Sequence, residues 1–296
     1  MEQKTGLITK ALSGFYYVQC GTELIECRAR GVFRNRRQEV YVGDRAVVEM
    51  TDGGKGCVTE ILERKNFLLR PPLANIDQLV IVISTCDPPP NLLIIDRLIA
   101  IAERKKITPV LVFTKKDRAD SHIFAQIYRH AGFCVLEASN TTGEGIDEVR
   151  AMLSGKVSAF SGNSGVGKSS LLNCIDTRLT IPTGETSQKL GRGRHTTRHV
   201  ELFLLPQGGY VADTPGFSAV DMAHTDRVLK ESLAECFREF APFTGSCRYS
   251  GCSHTSKEQG CGVLMALERG EIEPTRYESY DTMWREVKDL KEWEIK

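Results

Sequence analysis

The sequence lacks long hydrophobic runs. None of its stretches of apolar side chains exceeds five residues, and residues 79–83 form one of them. A helix needs about 20 mainly apolar residues to cross a bilayer, so the sequence predicts no membrane span. Residues 1–4 also lack the layout of a signal peptide, in which a basic segment precedes an apolar one. We therefore expect a cytoplasmic protein.

The sequence also has little net charge and no disulfide signature. Lys and Arg number 39 against 38 Asp and Glu, which permits a nucleic-acid partner without requiring one. Ten cysteines would suggest a disulfide scaffold in a small secreted domain, but this chain is long and has no export signal. Seven of them are scattered singly, and we interpret these as reduced, mostly buried thiols. The other three lie close together: Cys247, Cys252 and Cys261.

Residues 1–70 predict a small β-barrel. Five short segments of strand character begin near positions 6, 15, 23, 46 and 56, and Gly or Asp-Gly separates several of them. Five strands in this length fit a closed barrel, for which the OB-fold is the commonest candidate. Pro71 and Pro72 then indicate a domain boundary.

The rest of the chain predicts two further domains. In residues 71–222, apolar strands such as those near 79–84 and 109–113 alternate with helices. This pattern predicts a doubly wound α/β domain whose parallel sheet is covered on both faces. Residues 223–296 predict a mainly helical domain, with one helix near 225–239 and another from 274 to the end.

A phosphate-binding loop is predicted between the strand near 156–160 and the helix that follows it. The sequence GNSGVGKS at 162–169 fits the P-loop pattern G-x-x-x-x-G-K-[ST]. Its glycines allow backbone N–H groups to converge on phosphate oxygens; Lys168 should reach the β- and γ-phosphates, and Ser169 should bind Mg²⁺. The candidate nucleotide-binding residues here are Gly162, Asn163, Ser164, Gly165, Val166, Gly167, Lys168, Ser169 and Ser170.

A second motif predicts which nucleotide binds. Thr114, Lys115, Lys116 and Asp117 follow a buried strand and resemble the N-K-x-D base-reading motif of GTPases. The Asp117 carboxylate can accept hydrogen bonds from guanine N1–H and the 2-amino group, which adenine lacks, so a buried Asp117 would stay unpaired opposite ATP. Thr114 replaces the usual Asn, and we expect this to weaken contacts near the base. The alternative, a solvated Lys-Lys-Asp turn, is disfavoured by the P-loop in the same chain.

Three weaker motifs complete the set. Ser139 and Asn140 match the last GTPase motif, which contacts the base through backbone N–H. Asp213 and Gly216 resemble the D-x-x-G motif, whose Asp orients a water on Mg²⁺ and whose Gly senses the γ-phosphate. Residues 191–198 (GRGRHTTR) lie between the P-loop and the D-x-x-G motif, where GTPases have a mobile switch. Its candidate Mg²⁺ ligands are Thr196 and Thr197.

The motifs run in circularly permuted order. The base reader precedes the P-loop in this chain, whereas the P-loop comes first in ordinary GTPases. A parallel sheet can still assemble identically if the old chain ends lie close together. Because D-x-x-G now leads directly into the C-terminal region, we expect the nucleotide state to move residues 223–296 relative to the G domain.

A metal site is predicted near the C-terminus. The pattern Cys247-x4-Cys252-x-His254-x6-Cys261 offers three thiolates and one imidazole. Tetrahedral zinc favours this ligand set, and four protein ligands indicate a structural ion with no open catalytic position. Buried thiols with a surface histidine are the alternative.

Together these features resemble the RsgA (YjeQ/YloQ) family of circularly permuted GTPases. Residues 191–198 and 74–78 (ANIDQ) also look like family segments, and the resemblance covers essentially all 296 residues. It implies an OB-fold, a permuted G domain and a zinc domain. It further implies GTP hydrolysis to GDP that is stimulated by the 30S ribosomal subunit, and contact with 16S rRNA late in maturation. We expect the protein to act as a monomer.

The barrel sequence itself favours an RNA partner. One predicted loop carries clustered arginines, and OB-folds bind nucleic acid through such loops. A solvated basic surface is the alternative. The residues are Arg28, Arg30, Arg34, Arg36 and Arg37.

The catalytic residue is the least determined feature. Many GTPases place a Gln just after D-x-x-G to orient water, but Phe217 stands there and cannot hydrogen-bond a water. The free enzyme should therefore be slow. His195, beside the switch threonines, is the candidate for positioning water, with Lys168 stabilising charge; a solvent-facing histidine is the alternative.

Two other functions stay open. The chain could be chiefly an rRNA-binding assembly checkpoint in which hydrolysis only times release. It could also be a P-loop ATPase or a small-molecule kinase, although Asp117 argues against both.

Overall fold

The computed structural model describes residues 2–29, 39–51, 53–181, 200–213 and 228–290. For Asp213 it describes the backbone but not the side chain. The first five strands form a closed barrel. They are β1 (Gln3–Leu12), β2 (Phe15–Cys20), β3 (Glu23–Ala29), β4 (Arg45–Met50) and β5 (Gly56–Ile61). Their order is β1-β2-β3-β5-β4, and β4 pairs back onto β1. Alternate residues such as Ala46 and Val48 fill its interior. The predicted five-stranded barrel is confirmed.

A six-stranded region of the same sheet forms the centre of the molecule. A small hairpin precedes it, made of β6 (Phe67–Leu68) and β7 (Leu73–Ala74). The six strands are β8 (Gln78–Ser84), β9 (Thr108–Thr114), β10 (Cys134–Glu137), β11 (Val157–Ser161), β12 (Glu201–Leu204) and β13 (Tyr210–Asp213). Their order is β10-β9-β8-β11-β13-β12. All pair in parallel except β12, which runs antiparallel to β13 and also touches β1 at Lys10 opposite Glu201.

Helices cover both faces of this central sheet. They are α1 (Leu92–Arg104), α2 (His122–His130), α3 (Ile146–Leu153) and α4 (Lys168–Ile175). α1 and α2 contribute to one buried apolar cluster, and α3 and α4 to the cluster on the opposite face. β8 is buried along its whole length, as a central parallel strand should be. The doubly wound α/β prediction is therefore confirmed, with one antiparallel edge strand added.

The C-terminal region is helical but more broken than the sequence predicts. Its helices are α5 (Lys230–Leu233), α6 (Ala241–Thr244), α7 (Gly262–Glu268) and α8 (Pro274–Val287), with 3₁₀ turns at Ala234–Cys236 and Arg238–Phe240. The single helix predicted near 225–239 is wrong over the described residues. Phe237 leaves the helical region at φ −107° and ψ 85°, which lets its ring stack on Phe240 at 5.3 Å and meet Tyr280 edge-on at 5.2 Å.

This region packs on α1 rather than standing apart. Phe237, Phe240 and Tyr280 belong to the same buried cluster as α1. Across the contact, Arg276 of α8 is fully buried; its Nη1 lies 2.6 Å from Asp96 Oδ1 of α1, and its Nε lies 2.7 Å from Glu239 Oε1. In the described part of the chain, no helix is both long and apolar enough to cross a membrane.

Candidate functional site

The predicted nucleotide-binding residues converge at one edge of the central sheet. β9, β10 and β11 all belong to its parallel part, so their carboxyl ends lie at the same edge. Thr114 is the last residue of β9, Ser139 follows β10 and Gly162 follows β11. Open α/β sheets bind their ligands in the crevice at this edge.

Two glycines of the P-loop have structural reasons to be glycine. A Cβ on Gly162 would lie 2.7 Å from the carbonyl oxygen of Val82, a distance too short for two packed atoms. Gly167 has a φ of +90° and is the N-cap residue of α4, a left-handed conformation that favours glycine. The loop therefore approaches β8 closely and then turns directly into a helix.

The first turn of α4 consists of Lys168, Ser169 and Ser170, all half-buried. The first backbone N–H groups of a helix have no acceptor within the helix, and the helix dipole is positive at this end. Both effects favour a bound phosphate. The start of α4 therefore suits an anion at the position where the sequence pattern predicts the phosphates.

Two side chains of the base-reading motif hold carbonyl groups of the P-loop. Thr114 is fully buried, and its hydroxyl donates to the Val166 carbonyl oxygen at 2.5 Å. Lys115 Nζ donates to the Gly165 carbonyl oxygen at 2.9 Å. A threonine at position 114 thus keeps a direct link between the two motifs, which the sequence alone did not predict.

The Asp117 carboxylate is held by the last motif. Its Oδ1 accepts a hydrogen bond from Ser139 Oγ at 2.6 Å, and the buried Ser139 Oγ also accepts from the backbone N–H groups of Thr141 and Thr142. Asp117 itself is exposed, whereas the sequence interpretation assumed a buried carboxylate. A guanine base hydrogen-bonded to this carboxylate would cover it. The Lys116 side chain forms an ion pair with Glu144, with its Nζ 2.5 Å from Glu144 Oε1.

Asn140 contacts the P-loop through its side chain. Its Nδ2 donates to the Gly167 carbonyl oxygen at 3.1 Å. Its Oδ1 is buried and has no hydrogen-bond partner among the described residues. Its backbone carbonyl accepts a weak hydrogen bond from Cys174 Sγ of α4 at 3.5 Å. The sequence predicted only a backbone contact with the base at this position.

Several predicted residues fall outside the part of the chain that the structure describes. Asp213 is the last residue of β13, next to β11 at the same edge of the sheet, but its side chain is not described. In the barrel, Arg28 lies on the surface with its guanidinium 4.8 Å from the centre of the Phe15 ring. The residues outside the description are His195, Thr196, Thr197, Gly216, Phe217, Arg30, Arg34, Arg36 and Arg37.

The four predicted metal ligands meet at one point. The potential ligand atoms of Cys247, Cys252, His254 and Cys261 all lie within 4.8 Å of one another. Cys247 Sγ lies 3.9 Å from Cys261 Sγ, and both sulfurs lie 3.5 Å from His254 Nδ1. Tetrahedral zinc with its usual bond lengths requires separations of about 3.8 Å for two sulfurs and about 3.6 Å for sulfur and nitrogen. The cluster therefore fits a structural zinc ion.

The surroundings of the cluster change the protonation of two potential ligands and fix the loop in place. Burial raises the pKa of Cys252 to about 12, so a nearby cation is needed to hold this thiol as a thiolate. Burial also lowers the pKa of His254, which favours the neutral imidazole that metals bind. The loop is fastened to α8, because Tyr277 Oη donates to the His254 carbonyl at 3.1 Å and Tyr280 Oη donates to the Ser253 carbonyl at 2.6 Å.

One neighbour of the P-loop was missed from the sequence. This neighbour is the segment after β8, which is joined to the strand's last residue, Ser84, because Ser84 Oγ accepts from the backbone N–H of Asp87 at 3.1 Å. The Asp87 carbonyl accepts from Lys115 Nζ, and Pro88 would lie 3.5 Å from a Cβ on Gly165. This segment thus packs against the P-loop. Its signal was the position of Ser84 at the carboxyl end of a buried parallel strand, the same argument that located Thr114.

Comparisons with known proteins agree with this geometry. The family model described as RsgA GTPase matches residues 61–223, and the RsgA N-terminal domain model matches residues 5–58. A relative from Caldanaerobacter subterraneus subsp. tengcongensis, named small ribosomal subunit biogenesis GTPase RsgA, is 45% identical over 98% of this chain and 97% of its own length. A relative of the same name from Geobacillus thermodenitrificans is 44% identical over 97% of this chain and 98% of its own.

Two solved structures share the fold. YjeQ from Thermotoga maritima superposes with a TM-score of 0.83 and 34% identity, covering 98% of this chain and 100% of that one. YloQ, described as a circularly permuted GTPase, superposes with a TM-score of 0.82 and 33% identity, covering 98% of this chain and 96% of that one. With the permuted motifs at one sheet edge and the Cys3His cluster beside α8, these matches show that the chain belongs to the RsgA family of GTP hydrolases.

Proposed function

We propose that this chain binds GTP with Mg²⁺ at the edge of the central sheet and hydrolyses it to GDP and phosphate during biogenesis of the small ribosomal subunit. The observation that carries the proposal is the direct hydrogen bonding of the base-reading residues Thr114 and Lys115 to the P-loop. The relatives that match nearly the whole chain are named small ribosomal subunit biogenesis GTPases, which supports the ribosomal part.

In this proposal each motif has a separate task. Asp117 accepts hydrogen bonds from the guanine edge, with Ser139 fixing its orientation. Backbone N–H groups of residues 165–170 and the Lys168 ammonium bind the β- and γ-phosphates. Ser169, one of the two switch threonines and Asp213 hold Mg²⁺ directly or through water, and the bound ion supplies charge neutralisation at the phosphates. The Gly216 N–H contacts the γ-phosphate.

The test of base recognition is Asp117→Asn. Asn offers the base one acceptor and one donor instead of two acceptors, so guanine N1–H or its amino group loses its partner. We expect the GTP affinity to fall about 100-fold and the xanthosine triphosphate affinity to rise, because xanthine carries an acceptor in place of the amino group. Nucleotide titrations measure both, with Asp147→Asn as the matched control, since Asp147 is exposed and its ion pair among the described residues is with Arg150. Unchanged GTP affinity would contradict guanine reading by Asp117.

For the chemical step we propose that His195 positions the attacking water. Phe217 occupies the position where many GTPases have Gln, and its side chain cannot hydrogen-bond a water. We therefore expect slow hydrolysis by the free enzyme and stimulation by its partner. His195→Ala should keep GTP binding and lower ribosome-stimulated turnover about 100-fold. His199→Ala is the matched control in the same segment. Full stimulated turnover in His195→Ala would remove the residue from the mechanism.

We further propose that the partner is the 30S subunit, contacted through 16S rRNA by the barrel, and that the protein acts as a cytoplasmic monomer. The surface position of Arg28 beside Phe15 and the basic composition of residues 30–37 support an RNA contact. GTP turnover with and without purified 30S subunits tests the partner. The absence of any stimulation would contradict it, and light scattering during gel filtration measures the oligomeric state.

The alternative function is an rRNA-binding checkpoint in which hydrolysis only times release. It differs from the main proposal in one measurable respect. A variant that binds GTP but does not hydrolyse it should stay trapped on its ribosomal particle if hydrolysis is only a timer. Normal release of such a variant would exclude the alternative.

We also propose three domains: residues 1–70, 71–222 and 223–296. The separate buried cluster of the barrel supports the first boundary. The second boundary rests on the sequence pattern. The packing does not separate the two domains there, because residues 228–290 share a buried cluster with α1. Limited proteolysis should cut near residue 70 and leave residues 228–290 associated with the G domain.

A further inference from the structure

We propose that the Asn140 side chain is a positioning residue for the phosphate-binding loop, and that together with Thr114, which stands where the base-reading motif usually has asparagine, it links the base-reading residues to this loop. The proposal rests on guanine nucleotide binding as proposed above. It concerns the link between the two halves of that site.

Three consecutive carbonyl groups of the P-loop are each held by a different side chain from the base-reading side. Gly165 is held by Lys115, Val166 by Thr114 and Gly167 by Asn140. The three side chains come from the ends of two neighbouring parallel strands, β9 and β10. The third hydrogen bond is 3.1 Å long and arrives from a residue that the sequence motif assigns only to the base.

Holding a carbonyl also fixes the N–H group of the following residue, because both belong to one planar peptide unit. The Gly167 carbonyl therefore determines where the Lys168 N–H points, at the start of α4. That carbonyl also accepts the first helical hydrogen bond, from Leu171 N at 2.8 Å. Asn140 is thus placed to set the orientation of a phosphate-binding donor without touching the phosphate.

The hydrogen bonding of the Asn140 side chain argues against a role in folding alone. Its Nδ2 is satisfied, but its Oδ1 is buried without a hydrogen-bond partner among the described residues. An unsatisfied buried acceptor costs at least as much free energy as one neutral hydrogen bond contributes. The side chain therefore adds little to the stability of the fold, and its contribution is expected in nucleotide binding.

The close fit at this point supports the same conclusion. A Cβ on Gly167 would lie 2.9 Å from Asn140 Nδ2 and 3.6 Å from Thr114 Oγ1. Both side chains therefore lie against the same P-loop residue. An asparagine at position 114 could take over the hydrogen bond of either, which predicts that the two positions compensate for each other.

The test is a double-mutant cycle on GDP affinity, using Asn140→Ala, Thr114→Asn and the double variant in the full chain. We expect Asn140→Ala to weaken GDP binding about tenfold while leaving the melting temperature of the nucleotide-free protein unchanged. In the double variant, Thr114→Asn should restore most of the lost affinity. The ratio of GDP to inosine diphosphate affinity should stay constant in Asn140→Ala, because the tether acts on the phosphates rather than on the base.

The controls separate this inference from the proposed function. Thr142→Ala changes an exposed side chain of the same loop that has no described contact with the P-loop, and it should bind GDP like the parent chain. GDP affinity within about twofold of the parent in Asn140→Ala, or a changed base selectivity, would overturn the inference. A lowered melting temperature with unchanged affinity would do the same. If the parent chain bound no guanine nucleotide, the proposed function itself would fail.

Discussion

The nucleotide site and the metal site are built in opposite ways. At the nucleotide site, Thr114 at the end of β9 and Lys115 after it already hold two P-loop carbonyl groups. The strand β8 is buried along its whole length, and β9 is buried from its second residue onward. At the metal site, four ligand atoms lie within 4.8 Å of one another in a loop of mostly exposed residues. The geometry of the first site comes from the central sheet, which is held together by backbone hydrogen bonds and apolar packing without any ligand. The second is shaped by its ligands.

This difference determines what each site requires. The sheet edge can hold its geometry through backbone hydrogen bonds and apolar packing, so single side-chain changes there should alter nucleotide affinity more than folding. The loop at 244–261 has little apolar core of its own, so a bound metal is its main source of stability. The two sites should therefore fail independently.

The largest expected effect is loss of the metal. Cys261→Ser removes one of four ligands, so zinc content should fall and residues 247–261 should lose their fold, at a cost of about 5 kcal/mol or more in unfolding free energy. GDP affinity should stay close to that of the parent chain. Zinc analysis, thermal unfolding and GDP titration measure the three quantities. Cys134→Ser is the matched control, because Cys134 is an exposed thiol outside the cluster; retained zinc in Cys261→Ser would contradict the assignment.

The sequence could predict the sites that depend on residue spacing. The P-loop and the Cys3His pattern are local in sequence, and the strands before and after them have clear apolar or alternating patterns, so their positions followed directly. The barrel was predicted for the same reason, since short alternating strands separated by glycine leave few alternatives.

The sequence could not predict contacts between distant residues. The hydrogen bonds from Thr114 to Val166 and from Asn140 to Gly167 depend on the order of strands in the sheet, which no local pattern records. The helix predicted near 225–239 was wrong over its described residues because aromatic packing around Tyr280 overrode local helical preference. α7 was missed although its sequence, GVLMALE, is mainly apolar, because seven residues directly after the cysteine-rich loop are too few to show a helical period.

The next effect concerns the contact between α8, which supports the metal loop, and α1 of the central domain. Arg276 is fully buried, and although burial lowers the pKa of its guanidinium, the charges of Asp96 and Glu239 raise it further, so the group stays charged. Arg276→Met would leave both buried carboxylates without their counter-ion and should cost about 3–5 kcal/mol in unfolding free energy. Arg285→Met is the control on the same helix, because Arg285 is exposed and its pair with Asp281 should contribute less than about 1 kcal/mol.

The same ion pair limits the motion expected of residues 223–296. Since Arg276 joins α8 to α1, a nucleotide-driven shift of this region must either carry α1 along or separate the buried charges. Amide exchange with GDP and with a GTP analogue should therefore change together in α1 and α8. A change confined to α8 would mean that the ion pair breaks during the cycle.

The smallest effect lies at the nucleotide site itself. Thr114→Val keeps the shape of the buried side chain but removes the hydroxyl that donates to the Val166 carbonyl. The loss of one buried hydrogen bond should lower GDP affinity by about 1–2 kcal/mol, roughly tenfold, because the carbonyl is left unpaired and the following N–H is less well oriented. Thr108→Val, at the exposed start of the same strand, is the matched control. If Thr114→Val unfolds the chain instead of weakening GDP binding, the sheet edge depends on this hydroxyl as the metal loop depends on zinc, and the contrast between the two sites is wrong.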